Sequence, residues 1–180
     1  MTYAGGAYGY GVLYELSRRG KFTVLHSFNN STSDGCYPNG SVNMDKAGNL
    51  YGTTSACGSS YLFGTVWKVS RKGKETILHS FAGGLSDGCN PSAGVVLDSE
   101  GNMYGNTNRC GAYRYGTVWE LSKDGRLTLL HSFDLSDGAD PVGELLRTAK
   151  GELFGTTWEG GSSGSGCYGY GCGTVWSYVP

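Results

Sequence analysis

The sequence has little charge of either sign and almost no excess of one sign over the other. Its 180 residues include 14 Lys or Arg and 15 Asp or Glu, which gives a formal net charge of −1 at pH 7. Nucleic acids and anionic membranes attract clustered basic surfaces, whereas the basic residues of this chain are scattered. We therefore expect no nucleic-acid partner.

Long apolar segments and helical patterns are also missing. No apolar run approaches the ~20 residues that a membrane-spanning helix needs, so we expect no membrane span. No segment has a 3.6-residue apolar period of useful length, which favours an all-β protein. The opening residues, MTYAGGAYGYG, show no basic segment followed by an apolar stretch. If the protein is secreted, we expect its signal peptide to lie upstream of them or to have been removed.

Motifs that usually mark catalysis or metal binding are scarce. The sequence contains no phosphate-binding loop, no His-Glu-x-x-His and no Cys-x-x-Cys. Its three histidines all occur in one recurring motif, and a catalytic histidine seldom needs three equivalent copies. We therefore predict no catalytic residue, no cofactor and no metal site, and a protein that is not an enzyme.

A repeat of 52 or 53 residues dominates what the sequence does contain. The tetrapeptide Gly-Thr-Val-Trp occurs at 64–67, 116–119 and 173–176, with a looser copy at 11–14. Leu-His-Ser-Phe occurs at 25–28, 78–81 and 130–133. A constant period of this size predicts a repeat architecture.

Each period predicts four short strands in two hairpins with Gly-containing turns. Four antiparallel strands in about 52 residues is the size of one β-propeller blade. Strands such as 23–28 are apolar on both faces, which fits a sheet packed between two neighbours. A parallel β-helix is the alternative, but its turns are shorter and its strands do not form such hairpins.

The predicted fold is therefore all-β and β-propeller-like, with about three and a quarter repeats in one domain, residues 1–180. It divides into a partial blade at 1–28, blades at 29–81 and 82–133, and an incomplete terminal blade at 134–180. Three blades rarely close a ring. A dimer could close six blades, successive chains could polymerise end to end, or the chain could be a piece of a longer array.

The six cysteines recur within the same repeat. Cys36 and Cys57 are 21 residues apart, as are Cys89 and Cys110, and the third copy lacks both cysteines together, with Ala139 and Gly160 in their places. We predict Cys36–Cys57 and Cys89–Cys110 disulfides. The remaining pair, Cys167 and Cys172, is expected to close its own loop. Six cysteines allow 15 connectivities, and the repeat selects this one. Disulfides indicate an oxidising compartment, hence an extracellular or cell-surface protein.

The recurring polar residues are interpreted as structural. The histidines are expected to make buried hydrogen bonds, and the aspartates of the Asp-Gly turns are expected to cap those turns rather than bind Ca²⁺. The residues concerned are His26, His79, His131, Asp34, Asp87 and Asp137. The repeated tryptophans, Trp67, Trp119 and Trp176, are expected to pack between blades.

One aromatic group lies outside the repeat pattern. Trp158 stands beside the divergent loop 159–172, which also carries Tyr168 and Tyr170. Exposed aromatic rings in such a loop can stack on a sugar or a peptide, so these three residues are the candidate ligand-binding site. The alternative is that they cover the open end of the repeat stack.

The combined motif G-T-V-W-x-[LV]-S, L-H-S-F, S-D-G-x-x-P and G-N-[LM]-Y-G-[TN]-T resembles the GloVer tandem repeat of bacterial choice-of-anchor repeat proteins. The resemblance covers nearly the whole chain and implies a propeller-like bacterial surface or secreted protein, without any catalytic residue to transfer. The leading hypothesis is an extracellular binding or adhesion module for a glycan or peptide. The alternative is a structural subunit whose incomplete end blades assemble copies into a ring or filament.

Overall fold

The computed structural model describes residues 1–59, 62–162, 167 and 170–179. These residues form fifteen β-strands in antiparallel sheets of two to four strands, and none of them lies in a helix. The all-β class is therefore confirmed. Over the same residues, the structure has no helix long and apolar enough to cross a membrane.

The first sheet is a hairpin of β1 (Val12–Leu16) and β2 (Phe22–Ser27). Its turn is closed by the N–H of Ser17, which donates to the carbonyl of Lys21 over 2.9 Å. On the other side of β1, Thr2 forms an antiparallel bridge with Val12. This bridge lies where the other sheets have the second strand of the repeat.

The second sheet is a four-stranded meander, in which each strand pairs with the next along the chain. Its strands are β3 (Gly35–Met44), β4 (Leu50–Cys57), β5 (Thr65–Val69) and β6 (Glu75–Ser80). The pairing register shifts by one residue at Val66/Trp67, and β1 has the same irregularity at Leu13/Tyr14. The repeat units therefore share this irregularity in strand pairing as well as the order of their strands.

The third sheet repeats this plan with its first two strands interrupted. Its segments are β7 (Gly88–Cys89), β8 (Val96–Leu97), β9 (Met103–Thr107), β10 (Arg109–Cys110), β11 (Thr117–Leu121) and β12 (Leu127–Ser132). The order is β12-β11-β9-β8, and β10 pairs separately with β7. The gap between β7 and β8 contains Pro91, which has no N–H to contribute to a ladder.

The fourth sheet has three strands among the described residues, in the order β13-β14-β15. They are β13 (Ala139–Arg147), β14 (Leu153–Glu159) and β15 (Val175–Tyr178). In the repeat, these strands correspond to β3, β4 and β5. The described part of this sheet therefore has no counterpart of the outermost strand, β6.

Aromatic pairs join each sheet to the next. A Phe that follows the last strand of one sheet packs on the Trp in the third strand of the next, with ring centroids 5.7–5.8 Å apart. The pairs are Phe28–Trp67, Phe81–Trp119 and Phe133–Trp176. Trp67 and Trp119 are completely buried. These pairs form the centres of the apolar clusters between the sheets.

A glycine in the neighbouring strand makes room for each indole. A Cβ atom added at Gly52 would lie 2.4 Å from the ring of Trp67, and one at Gly105 would lie 2.3 Å from the ring of Trp119. Real Cβ atoms do not approach so closely. The glycine of the Tyr-Gly-[TN]-Thr segment and the Trp of Gly-Thr-Val-Trp are therefore one packing unit, although the two motifs are separate in sequence.

The structure contains the three disulfides that the repeat predicts: Cys36–Cys57, Cys89–Cys110 and Cys167–Cys172. The first two occupy equivalent places, with Cα–Cα distances of 5.3 and 5.5 Å. Each joins the start of a sheet's first strand to the end of its second. Closing such a loop stabilises a fold by about 3 kcal/mol.

The first strands of the three larger sheets meet along one line. There the Glu144 carboxylate accepts a hydrogen bond from the Ser41 N–H at 2.6 Å and one from the Gly94 N–H at 3.2 Å. Asn43 donates to the carbonyl of Val95 over 2.5 Å. Glu144 occupies the repeat position of Ser41 and Gly94, so one carboxylate ties three neighbouring sheets together.

Candidate functional site

A histidine–aspartate pair stands at the same place in every repeat. His26 Nε2 lies 3.2 Å from both carboxylate oxygens of Asp34. The matching distances are 3.5 Å for His79–Asp87 and 2.7 Å for His131–Asp137. Each imidazole also meets the Phe two residues later edge to face, at 4.7–4.8 Å between ring centroids. The rings of His26 and His131 are therefore held from two sides, whereas His79 Nε2 is buried and has no hydrogen-bond partner in the described part of the chain.

The aspartate of each pair also caps the turn that follows. Asp34 accepts hydrogen bonds from the N–H groups of Asn29 at 3.0 Å and Gly35 at 2.7 Å. Asp87 accepts the equivalent bonds from Ala82 and Gly88. The structure thus gives this carboxylate two roles, because it fixes the turn and orients the histidine.

The first of these pairs has a third ionisable neighbour. Glu75, at the start of β6 in the second sheet, brings a carboxylate oxygen to His26 on β2 and to Asp34 in the turn before β3, and the three ligand atoms lie within 4.8 Å of one another. Glu75 Oε1 is buried and has no hydrogen-bond partner among the described residues. Sequence reasoning missed this residue. The sequence did contain a sign of it, because Glu75 stands at the repeat position where the other copies have the apolar residues Phe22 and Leu127.

The three groups perturb one another electrostatically. Burial, followed by the negative charge of Asp34, raises the pKa of Glu75 to about 7, although His26 opposes the shift. Burial alone would lower the pKa of His26, but the hydrogen bond and charge of Asp34 and the charge of Glu75 together raise it. Both shifts therefore favour the protonated forms of His26 and Glu75 beside Asp34.

The outer face of the fourth sheet exposes a position that is buried elsewhere. Val175 in β15 is 82% exposed, whereas Val66 and Val118, its repeat equivalents, are fully buried. In those inner copies the valine packs in an apolar cluster with the Phe–Trp pair that joins its sheet to the next sheet. This face of the fourth sheet therefore lacks, among the described residues, the neighbouring sheet that covers the same position in the inner copies.

The opposite end, formed by the first sheet, exposes the complementary positions. Leu16 is 63% exposed, while its equivalents Val69 and Leu121 are buried at 1% and 0%. Phe22 and Val24 on β2 are 56% and 47% exposed. Tyr14, at the position of Trp67, packs on Phe22 with ring centroids 4.9 Å apart and the ring planes tilted by 31°. We call these two surfaces the first-sheet face and the fourth-sheet face.

The predicted ligand-binding aromatics fall at the fourth-sheet end. Trp158 is 71% exposed and Tyr170 is 61% exposed. The backbone brings them near each other, since the N–H of Gly160 donates to the carbonyl of Tyr170 over 2.6 Å. Tyr168 lies outside the described residues. Trp158 occupies the repeat position of Ser55 and Asn108.

Two clefts lie between neighbouring sheets at the end where the first and second strands turn. Their volumes are about 700 and 680 Å³, and both are lined by Met44 and Asp45. Asp45 is engaged with its own turn. Burial alone would raise its pKa, but bonds from Asn49, Tyr51 and Ala47 outweigh this effect and lower the pKa to about 2. Asp45 is therefore a turn-forming residue.

Comparisons with known proteins agree with the repeat and with the fold. A family model described as the Gloeobacter/Verrucomicrobia repeat matches residues 1–178, which confirms the resemblance to the GloVer repeat. None of the curated proteins matches the sequence. The chain is similar to the X-ray structure of a "putative gluconolactonase", with a TM-score of 0.54 and 17% sequence identity. The match covers 80% of this chain and 47% of the solved chain. This chain therefore spans about half the length of the solved chain.

Proposed function

The chain belongs to the Gloeobacter/Verrucomicrobia repeat family, and we propose that it is a non-catalytic extracellular repeat module that pairs with a second copy of itself through its end faces. The exposure of Val175 carries the proposal, because the equivalent Val66 and Val118 are buried between sheets. Two copies would then form a closed, propeller-like ring of eight sheets, four from each copy, in which the fourth-sheet face of each copy packs against the first-sheet face of the other.

The repeat itself makes the two faces complementary. In the inner interfaces, the equivalents of Val175 pack in the same clusters as the aromatic pair that contains Trp119 or Trp176. Tyr14 holds the tryptophan position on the first-sheet face. Val175 of one copy would therefore contact Tyr14 of the other. Such a contact joins two different surfaces, the fourth-sheet face of one copy and the first-sheet face of the other. Each copy carries both faces, so two such contacts close a ring of two copies.

The structural similarity supports the proposed ring size. This chain spans 47% of the solved chain that it resembles, as expected if the complete fold holds about twice as many sheets. Likeness at 17% identity supports the shared fold alone, so the activity in the name of that protein is not transferred. An extracellular location is supported by the three disulfides, because such bonds persist in oxidising compartments.

Site-specific cross-linking tests this arrangement. All six cysteines are in disulfides, so an engineered cysteine provides the single reactive thiol. A mixture of Tyr14→Cys and Val175→Cys chains, treated with a short bismaleimide, is expected to give a covalent dimer, and neither variant alone should do so. Leu85→Cys mixed with Val175→Cys is the matched control, because Leu85 is 61% exposed in an inner loop. Equal cross-linking of the control and test mixtures would refute the arrangement.

A second candidate function is glycan binding at the fourth-sheet end. The exposure of Trp158 and Tyr170 beside the Cys167–Cys172 loop favours it, because an aromatic face can stack on a sugar ring. A glycan array should then show a ligand that wild-type protein binds and Trp158→Ala does not. If Trp158→Ala instead lowers the solution mass, the tryptophan serves assembly. An array without any ligand would remove this candidate.

A further inference from the structure

Glu75 places a carboxylate where the repeat has an apolar side chain. Its equivalents are Phe22 and Leu127, and Leu127 packs against an apolar cluster between sheets. Glu75 Oε1 is buried without a hydrogen-bond partner in the described part of the chain. Leaving such an atom unpartnered costs about 1–3 kcal/mol. Packing therefore does not explain the glutamate.

The neighbours of Glu75 are metal-ligand groups. His26 reaches it from β2 of the first sheet and Asp34 from the turn that leads into β3, and one ligand atom from each of the three residues lies within 4.8 Å of the others. Two carboxylates at this separation repel each other unless a proton or a cation lies between them. We propose that His26, Asp34 and Glu75 bind a divalent transition-metal ion of the Zn²⁺ class at the junction of the first two sheets.

The donor set selects the class of metal. One imidazole nitrogen and two carboxylate oxygens suit Zn²⁺, which commonly takes three protein ligands and a water molecule. Ca²⁺ requires six to eight oxygen ligands, and Mg²⁺ disfavours imidazole. Zn–ligand bonds of about 2.1 Å place tetrahedral ligand atoms roughly 3.4 Å apart. The separation of 3.2 Å between His26 Nε2 and Asp34 already meets this requirement.

Two of the ligands are positioned in advance. Asp34 is 3% exposed, and backbone N–H groups of Asn29 and Gly35 hold its oxygens. The ring of His26 is fixed edge to face on Phe28 at 4.7 Å. Glu75 has the longest side chain of the three and would supply the remaining movement of up to about 1.4 Å, from 4.8 Å to the tetrahedral separation of roughly 3.4 Å. Such support from surrounding groups is typical of metal ligands.

The other histidine pairs provide internal controls. His79–Asp87 lacks the third ligand, because Leu127 holds the position of Glu75 in the following sheet. Among the residues that the structure describes, only the group His26, Asp34 and Glu75 brings three potential ligand atoms this close. A metal site at this junction therefore depends on Glu75, and the repeated His–Asp pair alone does not create it.

Calorimetric titration of Zn²⁺ into the metal-free full chain tests the proposal. Wild-type protein is expected to bind one equivalent per chain, and Glu75→Leu should weaken binding at least tenfold. Leucine is the residue of the next repeat, so this variant should fold. His79→Ala is the matched control, and its affinity should equal that of wild type. Unchanged affinity in Glu75→Leu, or no stoichiometric binding by wild type, would overturn the proposal.

A thermal measurement separates loss of the metal from loss of the fold. Saturating Zn²⁺ should raise the melting temperature of wild type by ~5 °C, since a ligand that binds only the native state stabilises it. Glu75→Leu in chelator should melt at or above the wild-type temperature, because it removes an unpartnered carboxylate, and Zn²⁺ should not shift it. An equal Zn²⁺ shift in both proteins would place the metal elsewhere, for example at the exposed His131–Asp137 pair, and refute the site.

Discussion

Val118 and Val175 are the same residue at the same repeat position, yet their environments are opposite. Val118 lies between the third and fourth sheets with 0% exposure, and Val175 on the fourth sheet is 82% exposed. Leu121 and Leu16 form a second such pair at the other type of face, with 0% and 63% exposure. Side-chain type is identical within each pair. The difference therefore arises from the place of each sheet in the array.

This comparison shows how one pattern serves two purposes. In the inner copies, the apolar face is satisfied by the next sheet, and the Phe–Trp pairs fix the geometry of the contact. The end copies retain the same apolar pattern, and each repeat unit needs a neighbour to bury that face. The end faces are therefore the surfaces through which we propose that two copies pair.

The largest expected effect comes from placing a charge in an inner interface. Val118→Asp should destabilise the chain by more than about 4 kcal/mol, because an unpaired carboxylate would be buried among apolar side chains. Urea unfolding followed by tryptophan fluorescence measures the loss. A folded Val118→Asp protein with near wild-type stability would show that this interface is not a core.

Removing a repeat-positioned disulfide should have the next largest effect. The double variant Cys89→Ser with Cys110→Ser is expected to lose about 2–4 kcal/mol, because the unfolded chain regains the freedom that the loop closure removes. The fourth sheet has Ala139 and Gly160 at these positions and therefore lacks this disulfide. Hydrogen exchange should therefore show the third sheet of the double variant opening as readily as the fourth. Protection that stays unchanged would contradict this prediction.

Asp45→Asn should have a smaller effect that depends on pH. The pKa of Asp45 is lowered to about 2 from its ordinary value of 3.8, so the native state favours the ionised form. Its stabilising contribution is present above pH 3.8 and is lost as the pH falls through about 2. Solvent screens the interactions of this partly exposed carboxylate, so Asp45→Asn should be less stable than wild type by only about 0.5 kcal/mol at pH 7, and the difference should shrink near pH 2. A difference independent of pH would rule out the ionised carboxylate as its source.

The smallest effect on the stability of a single chain is expected for Val175→Asp. An exposed position tolerates a charge within about 0.5 kcal/mol, so urea unfolding should match that of wild type when both proteins are measured at a concentration too low for assembly. Assembly should nevertheless be lost, because the same carboxylate would be buried in the proposed contact. Leu85→Asp is the matched control and should still assemble. A dissociated control would point to a general effect of added charge.

Much of the fold was predictable because it depends on local and periodic signals. The constant spacing of Cys36–Cys57 and Cys89–Cys110 predicted their pairing, and the Gly-containing turns predicted the hairpins. The GloVer resemblance is likewise confirmed over residues 1–178. These features recur inside each unit, so a single sequence with several copies provides its own comparison.

The candidate site depends on contacts between units, which the period alone does not reveal. Glu75 meets His26 across a sheet junction although the two positions are 49 residues apart in the chain. Glu144 binds backbone groups of two other sheets, at Ser41 and Gly94. In each case the sequence signal is a departure from the repeat. The meaning of that departure depends on how the sheets are placed side by side.

Sedimentation equilibrium of the wild-type chain at several concentrations tests the paired-end account most directly. Pairing of the two end faces predicts a particle of twice the 19.1 kDa mass of one chain, with Val175→Asp giving the mass of a single chain. A wild-type protein that stays at 19.1 kDa up to high concentration would contradict the account. Particles that grow without limit as concentration rises would contradict the closed ring and indicate an open filament.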